Sequence, residues 1–173
     1  MKKLFAIVTF IALATAAFAQ KAGDKVSFSS VDMAGNAVTS DIFAKNKLTM
    51  VNIWGTFCPP CIREMPDLAK LNSANKSKGV EVVGIPIDIV DEEGNVVSYT
   101  KADGDAIIKQ TGADYTHVVP TKDMLDGVLR NIQAVPATIF VDKNGKIVGQ
   151  MYLGARSQKD WQKIIDSLLS KQK

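Results

Sequence analysis

The length and charge of the chain fit one globular domain and give no support for nucleic-acid binding. It has 173 residues, and its 21 lysines and arginines against 18 acids leave a formal net charge of +3. Loss of Lys2 and Lys3 with an N-terminal leader would lower the net charge to +1. A chain so close to neutral lacks the strong positive field that attracts nucleic-acid phosphates. The remaining chain, about 150 residues, is long enough to bury one proper hydrophobic core.

The first 19 residues have the order of a secretory signal peptide. Two lysines are followed by an apolar run over residues 4–17 and by Ala17-Phe18-Ala19, a small-x-small cleavage signal. A membrane anchor is the alternative, but the run is shorter than the roughly 20 apolar residues that a spanning helix needs. We therefore expect cleavage before Gln20 and a single domain over residues 20–173. We also expect a periplasmic or otherwise extracytoplasmic location, with no stable membrane insertion after cleavage.

Hydrophobic periodicity predicts β-strands that alternate with helices. The predicted strands cover residues 26–31, 37–39, 48–54, 80–89, 137–141 and 146–152. The predicted helices begin at the first cysteine, at about residue 103, at residue 121 and at a Ser157-x-x-Asp160 capping box. The first two strands flank Gly35-Asn36 and form an N-terminal hairpin, and the last two flank a second turn. The pattern is that of an α/β protein with a central mixed sheet flanked by helices.

Residues 88–114 form an acidic stretch in the centre of the chain. Seven acids against Lys101 and Lys109 give this stretch a charge of −5. The run Asp91-Glu92-Glu93-Gly94-Asn95 lacks the alternating acids and the terminal Glu of a calcium-binding EF-hand loop. We predict a solvated surface insertion that is helical over about residues 103–111. A docking surface for a basic partner is the alternative.

The chain has only two cysteines, Cys58 and Cys61, and they are three positions apart. As a permanent cross-link they would close a very short loop, which in the chain-entropy model adds only about 2 kcal/mol of stability. A domain of this size does not need such a small gain. The spacing therefore favours a dithiol that opens and closes during function.

The two residues between the cysteines, Pro59 and Pro60, predict where a helix begins. Proline is tolerated in the first helical turn, where backbone N–H groups lack partners anyway. Cys58 then lies at the positive end of the helix dipole, which lowers the pKa of its thiol. Cys61 lies one turn further along the helix and is less exposed. We expect Cys58 to attack disulfides and Cys61 to resolve the mixed disulfide.

Other uses of two cysteines fit the sequence less well. A structural zinc site needs four ligands, and beyond the cysteines the chain offers only His117, so we predict no metal site. Covalent haem attachment needs His after the second cysteine, where Ile62 stands. The dinucleotide motif Gly-x-Gly-x-x-Gly is absent, and we expect no bound cofactor. A copper-delivery module that uses Cys58, Cys61 and His117 is an alternative function.

The segment Trp54-Gly55-Thr56-Phe57-Cys58-Pro59-Pro60-Cys61, followed by Glu64 and Pro66, resembles the active-site segment of the exported TlpA/ResA-like thiol–disulfide oxidoreductases. Val135-Pro136-Ala137-Thr138, which opens a predicted strand, resembles the cis-proline loop of the same family. The resemblance covers roughly residues 22–171. It implies a thioredoxin-like fold and an enzyme that exchanges electrons between its dithiol and the disulfides of exported proteins.

The resemblance also implies a direction of electron flow and a set of partners. Reduction is the expected direction, for example in cytochrome c maturation, and a disulfide-forming oxidase is the alternative. A membrane thiol–disulfide electron donor would re-reduce the pair. A thiol peroxidase of related fold carries Thr three residues before its reactive cysteine, where Gly55 stands in this chain.

The resemblance assigns roles to residues around the cysteines. Pro136 would form a cis peptide bond beside them, so that the Val135 backbone can pair with an extended substrate. Glu64, on the Cys61 face of the helix, would exchange a proton with Cys61, and a solvated carboxylate is the alternative. Asn52 stands where cytoplasmic thioredoxins carry a buried acid. The residues expected to contact substrate or shield the pair are Trp54, Phe57, Pro59, Pro60, Val135 and Pro136.

Overall fold

The computed structural model describes residues 22–171. The predicted signal peptide, residues 1–19, lies outside the described residues. Within them, none of the helices is both long enough and apolar enough to span a membrane. The order of strands and helices along the chain follows the alternation that the sequence predicts.

The central sheet has four strands. Its strand β3 (Leu48–Trp54) pairs in parallel with β4 (Val80–Pro86) and antiparallel with β5 (Ala137–Asp142). Strand β6 (Ile147–Leu153) completes an antiparallel hairpin with β5. All seven residues of β3 are buried, as an unbroken run of apolar and β-branched residues predicts for a strand covered on both faces. The predicted mixed sheet is confirmed.

Helices cover both faces of the sheet. Helices α1 (Pro59–Asn75), α2 (Ser98–Thr111) and α4 (Gln158–Ser170) pack on one face around a single apolar cluster. On the other face, a 3₁₀ helix (Ser40–Lys45) and the short helix α3 (Lys122–Asp126) close a second cluster. Strand β3 leads through the short loop of residues 55–58 into α1, so that α1 begins just beyond the carboxyl end of this buried strand.

The N-terminal hairpin is shorter than predicted. Strands β1 (Ser29–Val31) and β2 (Ala37–Thr39) form a separate two-stranded sheet, whereas the sequence predicted a first strand that begins at residue 26. The residues before β1 pair instead with the β5–β6 turn, where the N–H of Val26 donates to the carbonyl of Gly145 at 2.7 Å. An extended segment has to satisfy its backbone groups somewhere, and periodicity alone does not identify the partner.

The acidic stretch is more regular than predicted. Helix α2 begins at Ser98 rather than at about residue 103. At the buried Gly104, a Cβ would lie 3.2 Å from the Met33 side chain and 3.8 Å from that of Thr56. The helix therefore packs on the loop that precedes the cysteines through Gly104, while its other residues stay exposed or half-buried, as the predicted surface insertion requires.

Two other predicted elements are shorter in the structure. Strand β4 ends at Pro86 rather than at residue 89, because proline has no N–H to continue a ladder. The helix predicted over residues 121–131 covers only Lys122–Asp126, and the backbone leaves the helical region at Gly127 (φ −102°, ψ −107°). Strand β4 thus ends at a proline and helix α3 ends before a glycine, two residue types that commonly interrupt regular structure.

Candidate active site

The two cysteines lie at the junction between β3 and α1. Cys58 caps the N-terminus of α1, with Pro59 and Pro60 as the first helical residues. A disulfide joins Cys58 to Cys61, and the Cys58 sulfur accepts the N–H of Cys61 at 3.2 Å. The predicted helix start is confirmed, and the Cys58 sulfur lies at the positive end of the helix dipole.

The pair is mostly covered, and only Cys58 retains accessible surface. Cys58 is 4 % exposed and Cys61 is fully buried. The Cys58 sulfur lies 3.6 Å from the carbonyl oxygen of Val135, and the Val135–Pro136 peptide bond is cis. The structure therefore brings the predicted proline loop and the cysteines together. Of the two sulfurs, that of Cys58 is the one that a partner reaches first.

A side chain from outside the recognised motif holds the loop before Cys58. The Asp88 carboxylate accepts the Thr56 N–H at 3.0 Å and also accepts the Thr56 hydroxyl. The Phe57 ring lies so close to Gly55 that a Cβ there would be 2.6 Å from a ring carbon. Phe57 itself is 66 % exposed, which leaves an apolar surface beside Cys58. The sequence placed Asp88 in the acidic stretch, and nothing local indicates a bond to a residue 32 positions away.

Glu64 is a buried carboxylate, so the solvated alternative is wrong. It is 4 % exposed, and its Oε1 accepts the Asn52 Nδ2–H at 3.0 Å. Its Oε2 accepts the Trp161 indole N–H at 3.3 Å and the Arg156 backbone N–H at 3.1 Å. Burial raises the pKa of Glu64, and these three donors oppose that effect without cancelling it. The carboxyl therefore changes its protonation closer to neutral pH than an ordinary glutamate does.

Sequence reasoning missed Arg156 and Trp161 as parts of this site. The Arg156 guanidinium lies 5.0 Å from the Trp161 ring centre and 5.3 Å from that of Tyr152. This stacking holds the segment between β6 and α4 so that the Arg156 N–H points at Glu64. The sequence places Trp161 in the predicted last helix and marks it only as one of the apolar residues at helical spacing. A helical pattern does not reveal that an indole N–H reaches a carboxylate on another helix.

Trp54 lies beneath the cysteines rather than on the surface. Its side chain is fully buried and packs in the same cluster as Cys58 and Cys61, which fits the expected shielding of the pair and not a direct contact with substrate. The Trp54 Nε1–H donates to His117 Nδ1 at 3.3 Å, and the His117 Nε2–H donates to the Ala113 carbonyl at 3.0 Å. Burial lowers the pKa of His117 to about 4, so the ring is neutral at pH 7. Both ring nitrogens are occupied, which argues against a copper-ligand role for His117.

Comparison with known proteins identifies the family of the chain. The Redoxin family model matches residues 19–165, a range that includes both cysteines, Glu64 and Pro136. The chain belongs to the Redoxin family. The match covers β3, α1 and the proline loop, which are the elements that form the site of this redoxin.

This redoxin is similar to proteins named for thiol–disulfide exchange. It is 27 % identical to the thiol-disulfide oxidoreductase ResA of Geobacillus kaustophilus, over 72 % of this chain and 64 % of that protein. It is 25 % identical to the thiol:disulfide interchange protein DsbE of Escherichia coli, over 85 % of this chain and 71 % of that protein. The chain thus spans slightly less than two thirds of that ResA protein. The resemblance to the TlpA/ResA-like proteins is confirmed.

Solved structures have the same fold as this redoxin. A crystal structure of a thioredoxin-family thiol:disulfide interchange protein from Chlorobium tepidum matches with a TM-score of 0.69 and 25 % identity, covering 86 % of this chain and 97 % of that one. The thioredoxin domain of a thiol-disulfide oxidoreductase from Bacteroides vulgatus matches with a TM-score of 0.65 and 26 % identity, covering 86 % and 98 %. The fold is therefore thioredoxin-like, with the β1–β2 hairpin before it.

Proposed function

We propose that this redoxin is a thiol–disulfide oxidoreductase whose Cys58–Cys61 dithiol exchanges electrons with the disulfides of exported proteins. The observation that carries the proposal is the position of the Cys58 sulfur at a helix N-terminus, 3.6 Å from the Val135 carbonyl. An extended substrate that pairs with the Val135 backbone, beside Pro136, would bring its own sulfur next to Cys58. The exposed ring of Phe57 enlarges that docking surface.

Reduction of a substrate proceeds in two displacement steps that balance in atoms and electrons. The Cys58 thiolate attacks a substrate disulfide, forms a Cys58–substrate disulfide and releases the other substrate sulfur as a thiolate. Cys61 then loses its proton, and its thiolate attacks the Cys58 sulfur. This step forms the Cys58–Cys61 disulfide and releases the second substrate thiolate. Two electrons pass to the substrate, and an external dithiol has to return them.

Glu64 is the group that we propose for the proton of Cys61. Both residues lie on α1, three positions apart, and both are buried. A carboxylate whose pKa is raised by burial accepts a thiol proton more readily than an ordinary carboxylate does. When an electron donor reduces the pair, the protonated carboxyl returns the proton to Cys61. Glu64 therefore acts as base in one direction and as acid in the other.

We expect a reducing pair, with a reduction potential below about −200 mV. A strongly oxidising pair needs a very stable Cys58 thiolate, because stabilising the reduced form raises the potential. Here the sulfur accepts the N–H of Cys61, while the two prolines have no N–H to donate. The Val135 carbonyl oxygen also faces the sulfur, and its partial negative charge disfavours a thiolate. Equilibration with glutathione or dithiothreitol buffers, followed by quantification of free thiols, measures the potential.

Other outcomes of solution experiments would change the proposal. A potential near the oxidising end of the scale, about −120 mV, would make the protein a disulfide-forming oxidase instead. Tight binding of Cu(I) by the reduced protein would support copper delivery, despite the occupied nitrogens of His117. Rapid consumption of hydrogen peroxide would support a thiol peroxidase.

We further propose that the protein works outside the cytoplasm after cleavage before Gln20. The charged start, apolar run and small residues of the first 19 positions support this location. Proteins such as apocytochrome c, before haem attachment, are one substrate class that fits a reductase there. A membrane thiol–disulfide donor would supply electrons, since the chain has no dinucleotide motif. The intact mass of the exported protein should match a chain that begins at Gln20, and retention of residues 1–19 would contradict cleavage.

A further inference from the structure

A buried amide next to Glu64 has one unpartnered end. Asn52 is fully buried in the middle of β3, directly opposite Thr138 of β5. Its Nδ2 donates to Glu64 Oε1 at 3.0 Å and to the Thr138 hydroxyl oxygen at 3.2 Å. Its Oδ1 is also buried, and among residues 22–171 it has no hydrogen-bond partner. Buried polar atoms are nearly always paired, so this oxygen needs a physical explanation.

The ionised and the protonated forms of Glu64 need different neighbours. The ionised carboxylate accepts hydrogen bonds, and its Oε2 receives two, from the Arg156 backbone N–H and the Trp161 indole N–H. Neither of these groups can receive a carboxyl proton, because both only donate. A proton on Glu64 therefore belongs on Oε1, where the neighbour is Asn52. An amide has a donor end and an acceptor end, so it can serve either form.

We propose that Asn52 is a positioning residue whose side-chain amide rotates by half a turn when Glu64 gains or loses its proton. With Glu64 ionised, Nδ2 faces Oε1, as in the structure. When Glu64 takes the proton of Cys61, the amide rotates by about 180° around its terminal torsion, and Oδ1 accepts the new Oε1–H. The Thr138 hydroxyl, which accepts from Nδ2 before the rotation, then donates to the same Oδ1.

The Asn52 amide makes the same number of hydrogen bonds in both orientations. In each of them one end of Asn52 makes two bonds and the other end makes none, so neither orientation is favoured by bond number alone. Glu64 can then change its protonation without leaving either form unsupported. This inference deepens the proposed function and rests on the proposed proton transfer between Glu64 and Cys61.

Other charged or titratable groups near Glu64 interact with its charge, but their contacts do not change when Glu64 gains a proton. Arg156 has a positive charge that favours the ionised form of Glu64. Burial raises the pKa of Tyr115 above its ordinary value and the Glu64 charge raises it further, so that this phenol stays neutral. Cys58 and Cys61 do not titrate while the disulfide is closed. Asn52 is the neighbour on Oε1 whose contact with Glu64 can reverse.

An NMR titration of the reduced wild-type chain tests the rotation of the Asn52 amide directly. The Glu64 carboxyl carbon signal and the Asn52 side-chain nitrogen signal should titrate with the same midpoint. In Glu64→Gln, the Asn52 signal should lose that titration. A constant Asn52 signal throughout the Glu64 titration would overturn the proposal. This measurement needs no Asn52 variant to fold.

Asn52→Leu removes both ends of the amide and keeps a side chain of similar size. We expect the Glu64 midpoint to rise by less than about one pH unit, because the ionised form loses a charge-assisted hydrogen bond while the protonated form loses a somewhat weaker neutral one. The matched control is Asn75→Leu, since Asn75 is equally buried but bonds to Gln162 and to the Leu71 carbonyl instead. The control should keep the wild-type midpoint. A rise of about two pH units or more in Asn52→Leu would show that Asn52 supports the ionised form alone, and it would also overturn the proposal.

Exchange kinetics separate this inference from the proposed function. We expect Glu64→Gln to reduce a protein disulfide about 100-fold more slowly than the wild type, the low end for general acid–base catalysis. A wild-type rate in Glu64→Gln would refute the proton role of Glu64 and, with it, the inference. If Glu64→Gln is slow but the Asn52 side-chain nitrogen signal stays constant while Glu64 titrates, the proton role stands and the Asn52 inference alone fails.

Discussion

Replacement of Cys58 by serine should abolish thiol–disulfide exchange, and replacement of Cys61 by serine should trap mixed disulfides with substrate proteins. Cys58 keeps the accessible surface of the pair and lies beside Val135, whereas Cys61 is fully buried. Without Cys58, no thiolate reaches a substrate disulfide. Without Cys61, the first attack still occurs, but nothing resolves the bond between Cys58 and the substrate.

Non-reducing electrophoresis and intact-mass measurement after incubation with an oxidised protein distinguish these outcomes. Cys61→Ser should run as a covalent adduct that a reductant releases, and Cys58→Ser should run as the free chain. The double variant is the control, and it should neither exchange nor trap. Equal trapping by both single variants would show that either sulfur can attack, and the division of roles would be wrong.

The free energy of unfolding should fall by about 3 kcal/mol between pH 7 and pH 4 on account of His117. Burial lowers the pKa of His117 from 6.5 to about 4. Between these values the unfolded chain binds a proton at His117 that the folded protein does not bind, so acidification favours unfolding. The contribution is fully present above the unfolded pKa, and it is lost as the pH falls towards the folded pKa.

Urea unfolding of the wild type and His117→Gln at the two pH values measures this contribution. The glutamine side chain of this variant offers an acceptor for the Trp54 N–H but does not titrate, so the variant should lose about 3 kcal/mol less stability on acidification. Glu64 acts in the opposite direction because burial raises its pKa. Its effect is present in both proteins and cancels in the comparison. Equal acid sensitivity of the two proteins would contradict a neutral, buried His117.

The elements that were predicted correctly depend on local patterns. The apolar run of residues 48–54 predicts a buried strand, and β3 has the same bounds. Pro59 and Pro60 predict the start of α1, because proline fits the first helical turn. The Ser157 hydroxyl accepts the Asp160 N–H at 3.2 Å, as the predicted capping box requires. By contrast, the N-terminus of α2 has no side-chain cap, so the sequence carries no local signal for its start at Ser98.

The residues of the active site also divide into those that the sequence identifies and those whose state depends on the tertiary structure. The sequence by itself identified the two cysteines as the reactive pair and predicted the helix start that positions Cys58. Through the family resemblance it also identified the proline loop. Only the tertiary structure decided the state of Glu64, because a carboxylate on a helix is solvated unless other elements cover it. The covering groups, Arg156 and Trp161, lie 92 and 97 positions away along the chain. Desolvation and hydrogen bonding set the pKa together, and both arise only when α4 and its preceding segment pack over α1.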